Sequence, residues 1–481
     1  MSESRWKTLL HAYWLNLGSK LAEIAYFLLL VSLLDKNELG LFNTLMSLTL
    51  FFLTLLDYGL SQATLREISQ QTIDVRALVR QGTPLRVLVT LLVLGALAVA
   101  HAAGWTSLLQ TQVLMLLALF QLFNALHSVM LAGLQGSGRQ TRANQLASAE
   151  AIVKLAALVL LQWLMSPIDL LTVVTSLLVI KFVFGLITWR MLPTPVVHDI
   201  APQPNLPHAA LDTPARSAFS PRQLDGQSGF LLIALFTILQ NRLDWLMVSA
   251  FMDSASVASY SVVNRYYEIA LFVLGIGFTT IYPWLCRVAS TRHNDRALQL
   301  LRQLQFLPVP LLVAAGIVAF PVINVMFWHG RYGDAIAAVD LLLPCAGLAV
   351  GNMMIYYDLM AQRHEKKLLH ICVVSTVLQA LFNTWAIPRF GINGAIAGMW
   401  LMNFANLLLF AFAAQRHISS RRDVFFTVSV AVAISGALLL AVNLLPAVLL
   451  LLLIMLATLA TALAVWLGKA RELALRAEGA P

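Results

Sequence analysis

Fourteen apolar runs of about twenty residues or more recur along this 481-residue chain, and they leave few folds open to it. They lie near 8–34, 39–61, 85–103, 108–133, 144–164, 168–190, 228–251, 256–286, 304–328, 335–361, 368–387, 392–414, 424–444 and 446–468. At 1.5 Å rise per residue, about twenty residues cross the ~30 Å hydrocarbon core of a bilayer. Backbone N–H and C=O groups find no water there, so the runs must be helices, and they are too long for tilted barrel strands. The expected class is an all-α polytopic membrane protein with about 14 transmembrane helices. Only 11% of residues are charged, against about 25% in a soluble domain.

The charges that remain are unevenly placed. Of 32 lysines and arginines, 24 fall in the loops of one side, among them Arg66, Arg76, Arg80 and Arg86 in the second loop. The opposite loops hold only Lys36, Arg331 and Arg389. Lysine and arginine concentrate in cytoplasmic loops, so both termini are expected in the cytoplasm. The sequence pI near 9.6 is thereby a topology signal and not a footprint for nucleic acid. The N-terminus lacks a short apolar core followed by a small-residue cleavage site, and the first span is expected to act as an uncleaved insertion signal. Cys286, Cys345 and Cys372 fall in or beside spans, so no disulfide framework is expected.

One segment interrupts the rhythm. Residues 191–229 contain seven prolines and no sustained apolar period, which reads as a cytoplasmic linker. It separates six spans from six more, giving expected domains at 1–190, 228–415 and 416–481 around a linker at 191–227. The halves echo one another. "LLDKNELGLFNT" and "FMDSASVASYSV" each set an Asp (Asp35, Asp253) five residues before a small residue (Gly40, Ala258) and seven before an aromatic (Phe42, Tyr260). A duplicated six-helix unit is a common transporter plan.

Five cations lie inside spans: Lys20, Lys154, Lys181, Arg242 and Arg265. Five carboxylates lie there too: Glu23, Asp57, Glu150, Asp244 and Glu268. Lys20 and Glu23, Glu150 and Lys154, and Arg265 and Glu268 are three or four residues apart, which puts each pair on one helix face. Arg242 and Asp244 are two apart and need separate partners. Two readings stand. These are structural ion pairs that lock helices together, or Lys20, Lys154, Arg242 and Arg265 line a hydrated path for an anionic headgroup. Lys181 and Asp57 are read as lying toward the cytoplasmic ends, where they can snorkel. Tyr13, Trp14, Tyr26, Trp245, Tyr260, Tyr266 and Tyr267 crowd the same spans. They serve as an interfacial belt or as sugar-stacking rings.

Absent motifs narrow the chemistry. "GLQGSGRQT" at 133–141 lacks the lysine and spacing of a nucleotide-binding loop, and no His/Cys/carboxylate cluster has metal-ligand spacing. The external loops are too short for a glycan active site. Transport is expected rather than catalysis, with no metal and no cofactor. Gly394-x-x-x-Gly398 is read as a close helix contact.

Four stretches carry a resemblance: "LLDYGLSQATLREIS", "LAGLQGSGRQTRAN", "NRLDWLMVSAFMDSASVASYSVVNRYYEIA" and "IPRFGINGAIAGMW". In that order, over about residues 8–415, the chain resembles the O-antigen flippase (Wzx-like) polysaccharide transporters of the multidrug/oligosaccharidyl-lipid/polysaccharide flippase superfamily. The resemblance implies two six-helix lobes in a V around a central cavity, plus two C-terminal helices. It implies translocation of an undecaprenyl-pyrophosphate-linked glycan from the cytoplasmic to the outer leaflet of a bacterial inner membrane. Polysaccharide polymerase or glycosyltransferases are the protein partners it points to. Cavity cations of the family handle the pyrophosphate, a role that passes to Arg242, Arg265, Lys20 and Lys154 without strict correspondence. The linker is longer than is typical. Lipid II flippases of the superfamily resemble the chain less, because their arginine-rich first two spans are not matched. The alternatives are a cation-coupled multidrug exporter of the same fold and a membrane scaffold of an exopolysaccharide complex.

Overall fold

The computed structural model describes residues 3–57, 75–137, 139–165, 167–192, 221–291, 305–362, 364–415 and 421–444. Residues 193–220 of the linker expected at 191–227, and the fourteenth expected span at 446–468, lie outside these residues.

Helices account for nearly all of the described chain. The first six are α1 (Glu3–Leu33), α2 (Lys36–Asp57), α3 (Val75–Ala102), α4 (Leu108–Gly136), α5 (Gln140–Leu164) and α6 (Leu170–Met191). After the linker come α7 (Pro221–Phe251), α8 (Ser254–Thr291), α9 (Pro308–Trp328), α10 (Ile336–Leu342) and α11 (Ala346–Ala361). The last are α12 (Glu365–Phe390), α13 (Ile392–Gln415) and α14 (Arg421–Leu444). Among the described residues ten helices are long and apolar enough to cross a membrane, the expected tenth span counting as one. The all-α membrane architecture expected from the sequence is therefore present.

Three boundaries differ from expectation. The tenth span is broken by a 3₁₀ turn at Leu343–Cys345, where Pro344 has no N–H to give the helical ladder. Helix α7 begins at Pro221, a residue whose fixed φ suits the first position of a helix. Helix α3 begins ten residues before the expected start. Val75, Leu78 and Val79 recur at helical spacing and bury against Val129, Met130 and Leu134 of α4. Arg86, counted above as a loop cation, is consequently only 3% exposed. Its Nε donates to the Leu56 carbonyl at 2.8 Å, satisfying a carbonyl at the end of α2 that has no partner within the helix.

The chain divides into two compact units, Met1–Leu239 and Gln240–Pro481, with the boundary inside α7. In the first, α4 packs against α2, α3, α5 and α6, and α1 lies along α5. In the second, α11 packs against α8, α12, α13 and α14, and α12 lies along α13. The fourth helical position of each unit thus contacts the second and the sixth. The sequence echo between the halves has a local cause. Asp35 Oδ2 accepts from Asn37 N at 3.4 Å and Asp253 Oδ1 accepts from Ser256 N at 3.1 Å, so each aspartate caps the second helix of its hairpin.

Glycines set the closest helix contacts. A Cβ on Gly394 would meet the Ala386 carbonyl, and one on Gly398 would collide with the Asn383 amide, so the Gly394/Gly398 pair does join α12 to α13. A second pair, Gly347 and Gly351 on α11, admits α14: a Cβ on Gly351 would lie 2.8 Å from that of Ala431.

Candidate functional site

Six of the ten charges inside the spans gather into two clusters, one in each unit. In the first unit the centre is Glu150 on α5, which is buried. Lys154, one turn on, pairs with its Oε1, and Lys181 Nζ of α6 reaches the same oxygen at 2.7 Å. His127 on α4 places Nδ1 3.3 Å from Glu150 Oε2 and 3.2 Å from Lys181 Nζ. Three helices meet through one carboxylate. Two lysines share it, so the group carries an excess positive charge when His127 is neutral.

Lys181 was expected near a cytoplasmic end. Instead it lies midway along α6 and is buried among these partners. The loss of hydration is offset by Glu150 and the imidazole, which supply the acceptors that water would otherwise provide. Asp57, the other residue expected near an end, closes α2, and its Oδ1 lies 3.5 Å from Ser128 Oγ. Lys20 and Glu23 pair at 2.6 Å on α1 and are the most exposed of this group. Helix α1 is tied to α5 where Ser148 Oγ donates to the Leu15 carbonyl at 2.8 Å.

In the second unit Glu268 on α8 plays the same part. Its Oε1 meets Arg242 Nη2 of α7 at 3.0 Å and its Oε2 meets Arg265 Nη1 at 2.8 Å. Two guanidiniums share one carboxylate, again leaving an excess positive charge. Arg242 also stacks 4.7 Å above the Trp245 ring, a cation–π contact that fixes the plane of the fork. All three charged side chains are partly exposed, Arg265 most at 41%. Asp244 turns the other way. It is buried and accepts a hydrogen bond from the Tyr260 hydroxyl. Tyr260 OH also lies 3.2 Å from Met399 Sδ, and its ring meets Trp245 edge-on. The two-residue spacing of Arg242 and Asp244 therefore sends one to Glu268 and the other into the protein.

The sequence reading missed His127, because a single histidine in an apolar helix carries no periodic signal. It also missed Gln379 and Asn383 on α12. Both are fully buried, and their amide atoms have no hydrogen-bond partner among the described residues. One turn earlier, Ser375 Oγ accepts from Gln240 Nε2 of α7 at 2.7 Å. Among the described residues no group of His, Cys, Asp and Glu has the makings of a metal site. Of the aromatics singled out, Trp245, Tyr260 and Tyr267 are buried core residues, which fits neither an interfacial belt nor a sugar platform. The side chains of Tyr13, Trp14 and Cys286 lie outside the described residues. Cys345 and Cys372 are buried and form no disulfide among the described residues.

Comparison with solved structures places this fold. A lipid II flippase, MurJ, in an inward closed conformation superposes with a TM-score of 0.67 at 11% identity, covering 95% of this chain and 100% of that one. A multidrug resistance MATE family transporter of the MOP superfamily in an inward-facing conformation gives 0.62 at 15% identity, over 88% of this chain and 95% of that one. An outward-facing conformation of a multidrug resistance MATE family transporter of the MOP superfamily gives 0.59 at 15% identity, over 84% of this chain and 92% of that one. At such identities the likeness is one of fold. No curated protein matches the sequence significantly. The family is given by a sequence model described as polysaccharide biosynthesis protein, which matches residues 7–289 and takes in both charge clusters. That match spans more than half of the chain, which belongs to the polysaccharide biosynthesis protein family.

Proposed function

We propose that this protein is a flippase carrying an undecaprenyl-pyrophosphate-linked oligosaccharide from the cytoplasmic to the outer leaflet of a bacterial inner membrane, for cell-surface polysaccharides of the O-antigen and lipopolysaccharide kind. The observation that carries the proposal is the sharing of Glu268 by Arg242 and Arg265. Two planar guanidiniums set against this one carboxylate give the trio a net positive charge, and guanidinium forks suit the paired oxygens of a diphosphate. Lys154 and Lys181 around Glu150 repeat the same two-to-one ratio, and Lys20 stands on the neighbouring helix. Family membership points to polysaccharide assembly, and one relative in fold is a lipid II flippase.

The multidrug transporters of this fold favour a second reading, export of small molecules. Organic cations would meet an excess of like charge at both clusters, which argues against it. Reconstitution tests both readings. Purified protein in liposomes should move a fluorescent undecaprenyl-pyrophosphate-linked oligosaccharide across the bilayer unaided. Transport of cationic dyes without lipid movement would favour the exporter, and no movement of either would favour a scaffold.

A further inference from the structure

Thr188 fixes a proton on His127 Nε2. The Thr188 hydroxyl lies 2.8 Å from the Phe184 carbonyl, which has no proton to offer, so the hydroxyl donates there. Its oxygen remains an acceptor, and His127 Nε2, 3.0 Å away, must donate to it. A neutral imidazole with its proton on Nε2 presents a lone pair at Nδ1. Lys181 Nζ, at 3.2 Å, donates into that lone pair. Glu150 Oε2 faces the same nitrogen at 3.3 Å, acceptor against acceptor, with no proton between them.

Nδ1 therefore has two competing uses. In the arrangement observed, Lys181 occupies it and is held by Glu150 Oε1 as well. In the alternative, a proton from solvent forms an N–H bond at Nδ1, the imidazolium donates to Glu150 Oε2, and the Lys181 ammonium is released. One lone pair cannot serve both. The groups facing His127 are Glu150 and Lys154 from α5, and Lys181 and Thr188 from α6. Of the charges on α2 and α3, Asp57 engages the neighbouring Ser128 and Arg86 engages the Leu56 carbonyl.

We propose that His127 is a proton-binding site coupled to anion binding: a diphosphate that draws Lys181 off Nδ1 is bound together with one proton, which His127 takes up. The inference rests on the flippase reading above, in which these lysines meet the headgroup. Its sign is fixed by linkage. A ligand bound with a proton binds more tightly as pH falls, by about tenfold per pH unit for one full proton.

The test uses the full chain in nanodiscs and two probes, inorganic diphosphate in solution and undecaprenyl pyrophosphate in the bilayer. Tight binding of the second alone identifies a lipid headgroup as the ligand, and equal binding of both identifies the diphosphate itself. His127→Gln is the informative variant, because its amide keeps an acceptor toward Lys181 and a donor toward Thr188 but takes no proton. Between pH 8 and 6 the wild type should gain up to tenfold more affinity per pH unit than His127→Gln, the titration of the probe being common to both. Equal slopes would overturn the proposal. The competition itself is read without ligand by nitrogen NMR of His127, assigned by its loss in His127→Gln. The neutral wild-type ring should carry its proton on Nε2, and Lys181→Met should raise the pH at which the ring titrates by at least one unit. A proton on Nδ1, or an unmoved titration, would defeat the competition. If the wild type binds no diphosphate at any pH, the flippase reading fails, and this titration still decides the competition.

Discussion

Arg242 reaches from α7 to Glu268 on α8, with Nη2 3.0 Å from Oε1. The contact changes what can be learned from substitutions in this cluster. The three-residue spacing of Arg265 and Glu268 suggests a self-contained pair whose joint removal would be neutral. Because Glu268 also serves Arg242, removing both would strand the Arg242 guanidinium. The informative changes are single ones that alter the ratio of charges.

Arg265→Ala leaves Arg242 and Glu268 as a balanced pair joining the two helices. Arg265 is 41% exposed, and exposed pairs contribute about 1 kcal/mol or less, so membrane abundance should hold. The excess positive charge is lost, and glycan export should fall at least tenfold at matched protein levels. Arg265→Lys should rescue only in part, since an ammonium lacks the bidentate fork. Glu268→Gln should behave oppositely: two facing guanidiniums lower thermal stability in detergent before export is considered. Full export by Arg265→Ala would remove this residue from the binding site.

The first unit gives a sharper stability test. Glu150 and Lys181 are both buried, and removing one partner of a buried pair costs about 3–5 kcal/mol. Glu150→Gln should therefore unfold at clearly lower temperature than wild type. Adding Lys181→Met removes the stranded ammonium and should recover a large part of the loss. A Glu150→Gln protein with unchanged melting would show that solvent already screens this cluster.

These contrasts mark what was legible in the sequence. The all-α membrane class and the i,i+3 and i,i+4 pairs follow from periodicity, so Lys20–Glu23, Glu150–Lys154 and Arg265–Glu268 were all readable. Contacts between helices leave no such period. Glu150 meets Lys181 and His127 from two other helices, and nothing in "FNALHSV" separates His127 from a loop histidine. Arg86 was misplaced because a charge near a predicted helix end looks like a loop residue until Val75, Leu78 and Val79 are seen to extend the helix beneath it. Asp35 and Asp253 were visible as a repeat, and their capping role explains why that repeat exists.

Gly398→Ala tests the small-residue contact between α12 and α13. The new methyl would collide with the Asn383 amide, which lies fully buried. Overpacking at a closed contact costs about 1–3 kcal/mol. The variant should lose several degrees of melting temperature in detergent. Gly436→Ala, where nothing lies within 4 Å of the added methyl, should lose none. Equal melting of the two variants would show that Asn383 swings aside freely.

The orientation we propose rests on the sequence count of 24 loop cations, Arg86 among them, against three, and from it residues 193–220 are expected in the cytoplasm. With Cys286, Cys345 and Cys372 replaced, a single new thiol at Asn205→Cys reports on that side. A membrane-impermeant maleimide applied to intact cells should leave it unlabelled, and the same reagent should label it once the membrane is opened. A thiol at Arg331→Cys, expected on the opposite face, should react in intact cells. Retaining function through both substitutions ensures that the labelled protein is the native one. Labelling at position 205 in intact cells, with position 331 protected, would invert the topology and with it the direction of transport. The excess of loop arginines would then need another cause.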